Sequence, residues 1–123
     1  MSKITTHILD TARGCPAEGV RVSLWDVSVG GKEIAGAFTN KNGRVADWGA
    51  PGAGAATGGR GNADMVAGGG IYKIRFETRE YFDKQSVPTF YPFVEIHFET
   101  TADGHYHIPL LISPFGYSTY RGS

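Results

Sequence analysis

The chain has 123 residues, with 12 lysines and arginines against 12 aspartates and glutamates and a single cysteine. That length suits one domain around one core, and the balanced charge offers no field for nucleic acid or an anionic membrane surface. Cys15 alone allows no intrachain disulfide, no apolar run is long enough to span a bilayer, and neither the N-terminal MSKITTH nor the C-terminal Arg121-Gly122-Ser123 resembles a targeting signal. The cytoplasm is the expected compartment, ahead of a peroxisome.

The elements follow one another with strand periodicity. Thr5 to Asp10 alternates, with Ile4 and Ile8 on one side and His7 on the other. Residues 11–19 are turn formers. Val20 to Val27 alternates cleanly, Gly30-Gly31 turns the chain, and Lys32 to Asn40 returns as the partner strand. Asn40-Lys41-Asn42-Gly43 is a second turn signal, since Asn-Gly supplies positive φ, and Arg44 and Val45 open a short strand. Residues 49–70 are rich in glycine and alanine, cannot pack a core, and are expected to form a flexible insertion. Ile71 to Thr78 is the next strand, Thr78 is placed to cap a helix over Arg79 to Gln85, and Ser86 to Pro92 is an aromatic loop. Phe93 to Thr100 alternates with Val94, Ile96 and Phe98 inward; His105 to Ile112 follows, and Ser113-Pro114-Phe115-Gly116 turns into a last strand running to the end. About eight strands, one short helix and no helical crossovers predict an all-β, antiparallel β-sandwich spanning residues 1–123.

Chemistry-bearing residues are few. His97 lies between Glu95 and Glu99 on an outward face, and His105 follows a turn, so both read as solvated. His7 and His107 sit on strands among threonines and apolar residues, where a lone histidine is ordinarily structural. One cysteine and no paired helical histidines give no metal signature. The glycines lack the context of a phosphate cradle, no serine-hydrolase elbow is present, and Cys15 reads as a structural thiol. These residues alone do not choose between a binding module and an enzyme.

Three blocks do. TTHILDTARGCPA (residues 5–17), TNKNGRV (39–45) and HYHIPLLISPFGYSTYRGS (105–123), with TREYF (78–82) in support, resemble the signature segments of the 5-hydroxyisourate hydrolases, transthyretin-like enzymes of urate breakdown. The terminal Tyr-Arg-Gly-Ser is the most specific of these, because the thyroid-hormone carriers of the same fold lack it. The resemblance implies a homotetramer of β-sandwiches with active sites in the channel where two dimers meet. It also implies cofactor-free, metal-free hydrolysis of 5-hydroxyisourate to 2-oxo-4-hydroxy-4-carboxy-5-ureidoimidazoline. Carried over by position, the functional residues are His7, Arg44, His107, Tyr120, Arg121, Gly122 and Ser123, with Thr119 a weaker candidate for the wall. One of His7 and His107 is expected to be the general base and the other its partner. Arg44 would oppose developing charge, Ser123 or its carboxylate would hold water or the histidine network, and Arg121 would bind substrate or anchor the terminus. The alternative is a transthyretin-like binder of a small aromatic ligand without catalysis. The insertion at 49–70 departs from the family pattern.

Overall fold

The computed structural model describes residues 2–45, 47–52, 66 and 69–122. Most of the glycine-rich insertion expected at 49–70, and Ser123, therefore lie outside the described residues. The strands are β1 (Lys3–Asp10), β2 (Cys15–Pro16), β3 (Arg21–Asp26), β4 (Lys32–Phe38), β5 (Ile71–Phe76), β6 (Val94–Glu99), β7 (His105–Ser113) and β8 (Gly116–Thr119). Among the described residues the single α-helix, α1, spans Thr78–Asp83. Two four-stranded sheets, β2-β1-β7-β8 and β4-β3-β5-β6, face each other as the expected sandwich.

Alternation explains the core. On β1, Ile4, Thr6, Ile8 and Asp10 are buried while Thr5, His7 and Leu9 face outward at intermediate exposure. Val22 and Leu24 of β3, Ile74 and Phe76 of β5, and Ile108, Leu110 and Ile112 of β7 close the space between the sheets. Each such side chain contributes about 1.5–3 kcal/mol when taken from water. Two buried polar contacts fasten β1 to its surroundings: Thr6 Oγ1 donates to the Ile108 carbonyl of β7 at 2.7 Å, and the Tyr81 hydroxyl on α1 donates to Asp10 Oδ2 at 2.7 Å.

Four local features differ from the sequence reading. The β1–β7 ladder is parallel, whereas every other strand ladder is antiparallel; a long stretch of chain separates these two strands, as parallel pairing requires. Thr78 is not the helix cap but its first buried residue. Glu77 holds the cap position without capping, because its carboxylate is engaged by Arg75 Nε at 2.7 Å. Arg44 and Val45 form no strand of their own; Arg44 makes an isolated bridge to His7. The last strand stops at Thr119, and the tail beyond it is drawn onto β7 by a bond from the Gly122 N–H to the His107 carbonyl at 2.9 Å.

Among the described residues, no helix is long and apolar enough to cross a membrane.

Candidate active site

The parallel ladder sets the positions from which the site is built. Its register places Lys3 beside His105, Thr5 beside His107 and His7 beside Pro109, and the inward direction of Ile4, Thr6 and Ile8 turns the intervening residues to the outer face. Side chains two apart on one strand therefore meet those of the neighbour. Thr5 is the point where they converge: its hydroxyl oxygen lies 2.6 Å from His105 Nε2 and 2.7 Å from His107 Nδ1. The two imidazole rings stand edge to face, 6.3 Å between centroids.

Arg44 is delivered by the turn at the edge of β1. The Asn40 side-chain oxygen accepts from the N–H groups of Asn42 (2.9 Å) and Arg44 (3.1 Å), and Gly43 N–H donates to the Asn40 carbonyl at 2.8 Å. The Gly43 carbonyl accepts from Ile8 N–H at 2.8 Å, which fastens the turn to the strand next to His7. Gly43 has φ of 73°, and a Cβ there would stand against the Ile8 carbonyl oxygen. Only glycine satisfies both conditions.

The tail closes the opposite side. Thr119 Oγ1 donates to the Pro109 carbonyl at 2.7 Å, and Gly122 is drawn onto β7 by its bond to the His107 carbonyl. A Cβ on Gly122 would fall 2.6 Å from His107 Cδ2 and 2.9 Å from Pro109 Cγ. The glycine of the terminal tetrapeptide thus lets the backbone lie directly against the imidazole. Thr5, Thr6, Asn40, Arg44, Val45, His105, His107 and Gly122 line an open cleft of about 450 Å³, with His7 bridged to Arg44 at its edge.

The electrostatics favour neutral imidazoles. Partial burial holds His107 below the ordinary imidazole pKa, and the nearby positive charge of Arg44, with His105 and His7, adds to the effect. His7 is lowered by burial and then by Arg44, against a hydrogen bond to the Asn42 backbone that raises it. Among the described residues no carboxylate lies within ion-pair distance of Arg44. Among the described residues the cleft thus presents a guanidinium without a carboxylate partner beside two base-competent nitrogens, a set able to deprotonate water and stabilise an oxyanion. No group of three or more His, Cys, Asp or Glu among the described residues is placed to hold a metal ion.

Of the residues expected from the sequence, the structure brings together His7, Arg44, His107 and Gly122. It places Thr119, Tyr120 and Arg121 on a second cleft of about 260 Å³ between β6 and β7, bordered by Ile96 and Phe98. There the Arg121 guanidinium lies 5.0 Å over the Tyr106 ring, which fits the anchoring role better than substrate contact. Sequence reasoning missed Thr5, and read His105 as merely solvated; it is exposed but bonded to Thr5. Their shared face was visible only once β1 and β7 were known to pair in parallel. Gly43 was noted for its turn, not for its approach to Ile8.

A model of the HIUase/Transthyretin family matches residues 4–122. A Schizosaccharomyces pombe protein named probable 5-hydroxyisourate hydrolase is 43% identical, over 98% of this chain and 90% of its own. The Mus musculus 5-hydroxyisourate hydrolase is 35% identical over 99% and 96%. The solved Klebsiella pneumoniae 5-hydroxyisourate hydrolase superposes with a TM-score of 0.78 at 34% identity, over 100% of both chains. Sea bream transthyretin, solved with thyroxine, reaches a TM-score of 0.77 at 26% identity, over 96% of this chain and 92% of that one. The fold is thus shared by hydrolases and carriers, while the nearer identities and the matched length agree with the blocks at the cleft: this chain belongs to the HIUase/transthyretin family.

Proposed function

We propose that this chain hydrolyses 5-hydroxyisourate to 2-oxo-4-hydroxy-4-carboxy-5-ureidoimidazoline, a step of urate breakdown. The observation that carries the reading is the convergence of His107, Arg44 and the pinned Gly122 on one cleft, with His7 bridged to Arg44 beside it, where the cation has no carboxylate partner among the described residues. Relatives named for this activity match nearly the whole chain.

His107 is the general base. Its Nδ1 is engaged by Thr5, which leaves Nε2 to take a proton from the attacking water. His7, set by its bond to the Asn42 backbone, orients substrate and water. Arg44 grips the planar, oxygen-rich ring through paired donors and opposes the charge that grows on the amide oxygen as water adds. Collapse of the adduct breaks the ring C–N bond and returns a proton to the leaving nitrogen. Ser123, which lies outside the described residues, is assigned the role of holding the attacking water or the histidine network through its hydroxyl or carboxylate.

The working form is a homotetramer. The outer edges of β6 and β8 carry no strand partner in the sheet order, and Phe115 (69% exposed), Tyr117 (43%) and Tyr120 (61%) cluster around β8. Unpaired edges with exposed aromatics call for burial against another copy; sedimentation at micromolar concentration should give four subunits. A cytoplasmic location is in keeping with the free thiol of Cys15.

The direct test mixes the purified protein with freshly prepared 5-hydroxyisourate and follows its ultraviolet decay. Decay well above the spontaneous rate is expected. Decay at the spontaneous rate, with tight binding of a thyroxine-like ligand, would replace the hydrolase with a carrier.

A further inference from the structure

One hydroxyl serves two imidazoles. Thr5 Oγ1 carries a single proton, yet it lies at hydrogen-bond distance from both His105 Nε2 and His107 Nδ1. It can donate to only one of them and must accept from the other. The state of each ring therefore fixes the state of the other. From this we infer that His107, Thr5 and His105 form a proton relay, in which His105 holds the proton taken from water until the leaving nitrogen needs it. The inference rests on the hydrolase reading above and adds two residues to its machinery, Thr5 as a relay and His105 as the proton's holding site.

The steps balance. At the start His107 carries its proton on Nδ1 and donates it to Thr5 Oγ1, Thr5 donates its own to His105 Nε2, and His107 Nε2 is empty. Water loses a proton to His107 Nε2 as its oxygen bonds to the amide carbon. The Nδ1 proton passes to Thr5 Oγ1, and the Thr5 proton passes to His105 Nε2. His107 is then neutral and His105 is the imidazolium. When the C–N bond breaks, the same path runs backwards: His105 returns its Nε2 proton to Thr5, Thr5 returns one to His107 Nδ1, and His107 gives its Nε2 proton to the leaving nitrogen. One proton has moved from water to nitrogen, and the relay is reset.

The surroundings say why such a path helps. An imidazolium at position 107 would be partly buried beside the Arg44 guanidinium, and both facts oppose it. His105 is exposed, so the same charge is hydrated there. The groups around the pair are Lys3 beside His105 and His7 farther along β1, Arg44 on the 40–45 turn, and Asp103 in the turn before β7. Arg121 on the tail is turned onto Tyr106.

The experiment compares Thr5→Val, Thr5→Ser and His105→Gln with the wild-type chain by full kcat and KM profiles against pH. Thr5→Val should lower kcat by about tenfold or more with little change in KM, and Thr5→Ser, which keeps the hydroxyl, should restore it. His105→Gln removes the holding site and should lower kcat by a similar factor with little change in KM. Wild-type kcat in both Thr5→Val and His105→Gln would overturn the relay, as would equal losses in Thr5→Val and Thr5→Ser. Nitrogen NMR of labelled histidines needs no substrate: the neutral rings of His107 and His105 should each carry their proton on Nδ1, and Thr5→Val should change both tautomer populations. A His107 proton on Nε2 in the wild-type chain overturns the relay too. Absence of wild-type turnover with the expected tautomers would sink the hydrolase reading while leaving the hydrogen-bonded pair.

Discussion

The two outer faces of the sandwich use charge in opposite ways. On the β4-β3-β5-β6 face, three cations are neutralised where they stand: Arg75 reaches Glu77 at 2.7 Å and Glu95 at 3.3 Å, Lys73 reaches Glu95 at 3.2 Å, and Arg21 reaches Glu80 at 2.6 Å. Their stems and heads also cover aromatics, Lys73 over Trp25 and Arg75 over Phe93. On the β2-β1-β7-β8 face, Arg44 stands beside imidazoles, with no carboxylate in ion-pair range among the described residues. Both faces share the same alternation and comparable exposure. What separates them, among the described residues, is the unspent charge on one, and unspent charge is what a polar, oxygen-rich substrate can use.

The largest expected effect breaks the comparison on the cleft side. His107→Asn should lower kcat/KM by about 10²–10⁴-fold, the usual worth of a positioned general base, while the melting temperature stays near that of the wild-type chain. Arg44→Met should lose a similar factor, chiefly in kcat, because the charge it opposes appears only as water adds. A loss expressed wholly in KM would instead make Arg44 a ground-state binder.

Backbone placement comes next. Gly43→Ala forces a side chain into positive φ against the Ile8 carbonyl, and should cost about 1–3 kcal/mol in urea unfolding together with activity. Gly122→Ala acts differently, since its Cβ would press on His107 Cδ2 in a tail beyond the last strand. It should leave unfolding unchanged and reduce kcat/KM. Equal unfolding losses in both variants would show that the tail is part of the fold rather than a lid on the imidazole.

A pH profile sharpens the electrostatic half of the contrast. Both His7 and His107 are held below the ordinary imidazole value, so the rate should stay high through neutrality and fall only below about pH 6.5. Arg44 contributes to both shifts by opposing the imidazolium; Arg44→Met should move the acid limb of the residual activity to higher pH. A shift to lower pH would contradict the assignment. Stability follows the same sign. The unfolded chain takes up protons near pH 6.5 and the folded one only below it, so stability is full above that value and declines as pH falls.

Legibility in the sequence was uneven for physical reasons. Alternation at Val22 and Leu24, or Ile74 and Phe76, reports burial directly, so the strands and their inward faces could be read one at a time. Pairing is a long-range property, and nothing within β1 or β7 says that they run parallel. Thr5 and His105 acquire meaning only through that register, which is why neither stood out. Thr78 was misplaced by a local rule, because the cap position went to Glu77, whose carboxylate was already committed to Arg75. The terminal motif was legible as a family mark, but its division of labour was not: Gly122 sits on His107 while Arg121 faces Tyr106.

The smallest expected effect tests the neutralised face. Glu95→Gln removes the carboxylate that Lys73 and Arg75 share, yet both pairs are partly solvated and Arg75 keeps Glu77. Urea unfolding should therefore change by no more than about 1 kcal/mol, and the difference should shrink as salt screens the remaining charges. Turnover of 5-hydroxyisourate should be untouched, because the cleft lies on the other sheet. A marked fall in kcat with unchanged unfolding would mean that the β4-β3-β5-β6 face reaches the chemistry, through an assembly contact or through the core. The contrast between spent and unspent charge would then no longer separate scaffold from site.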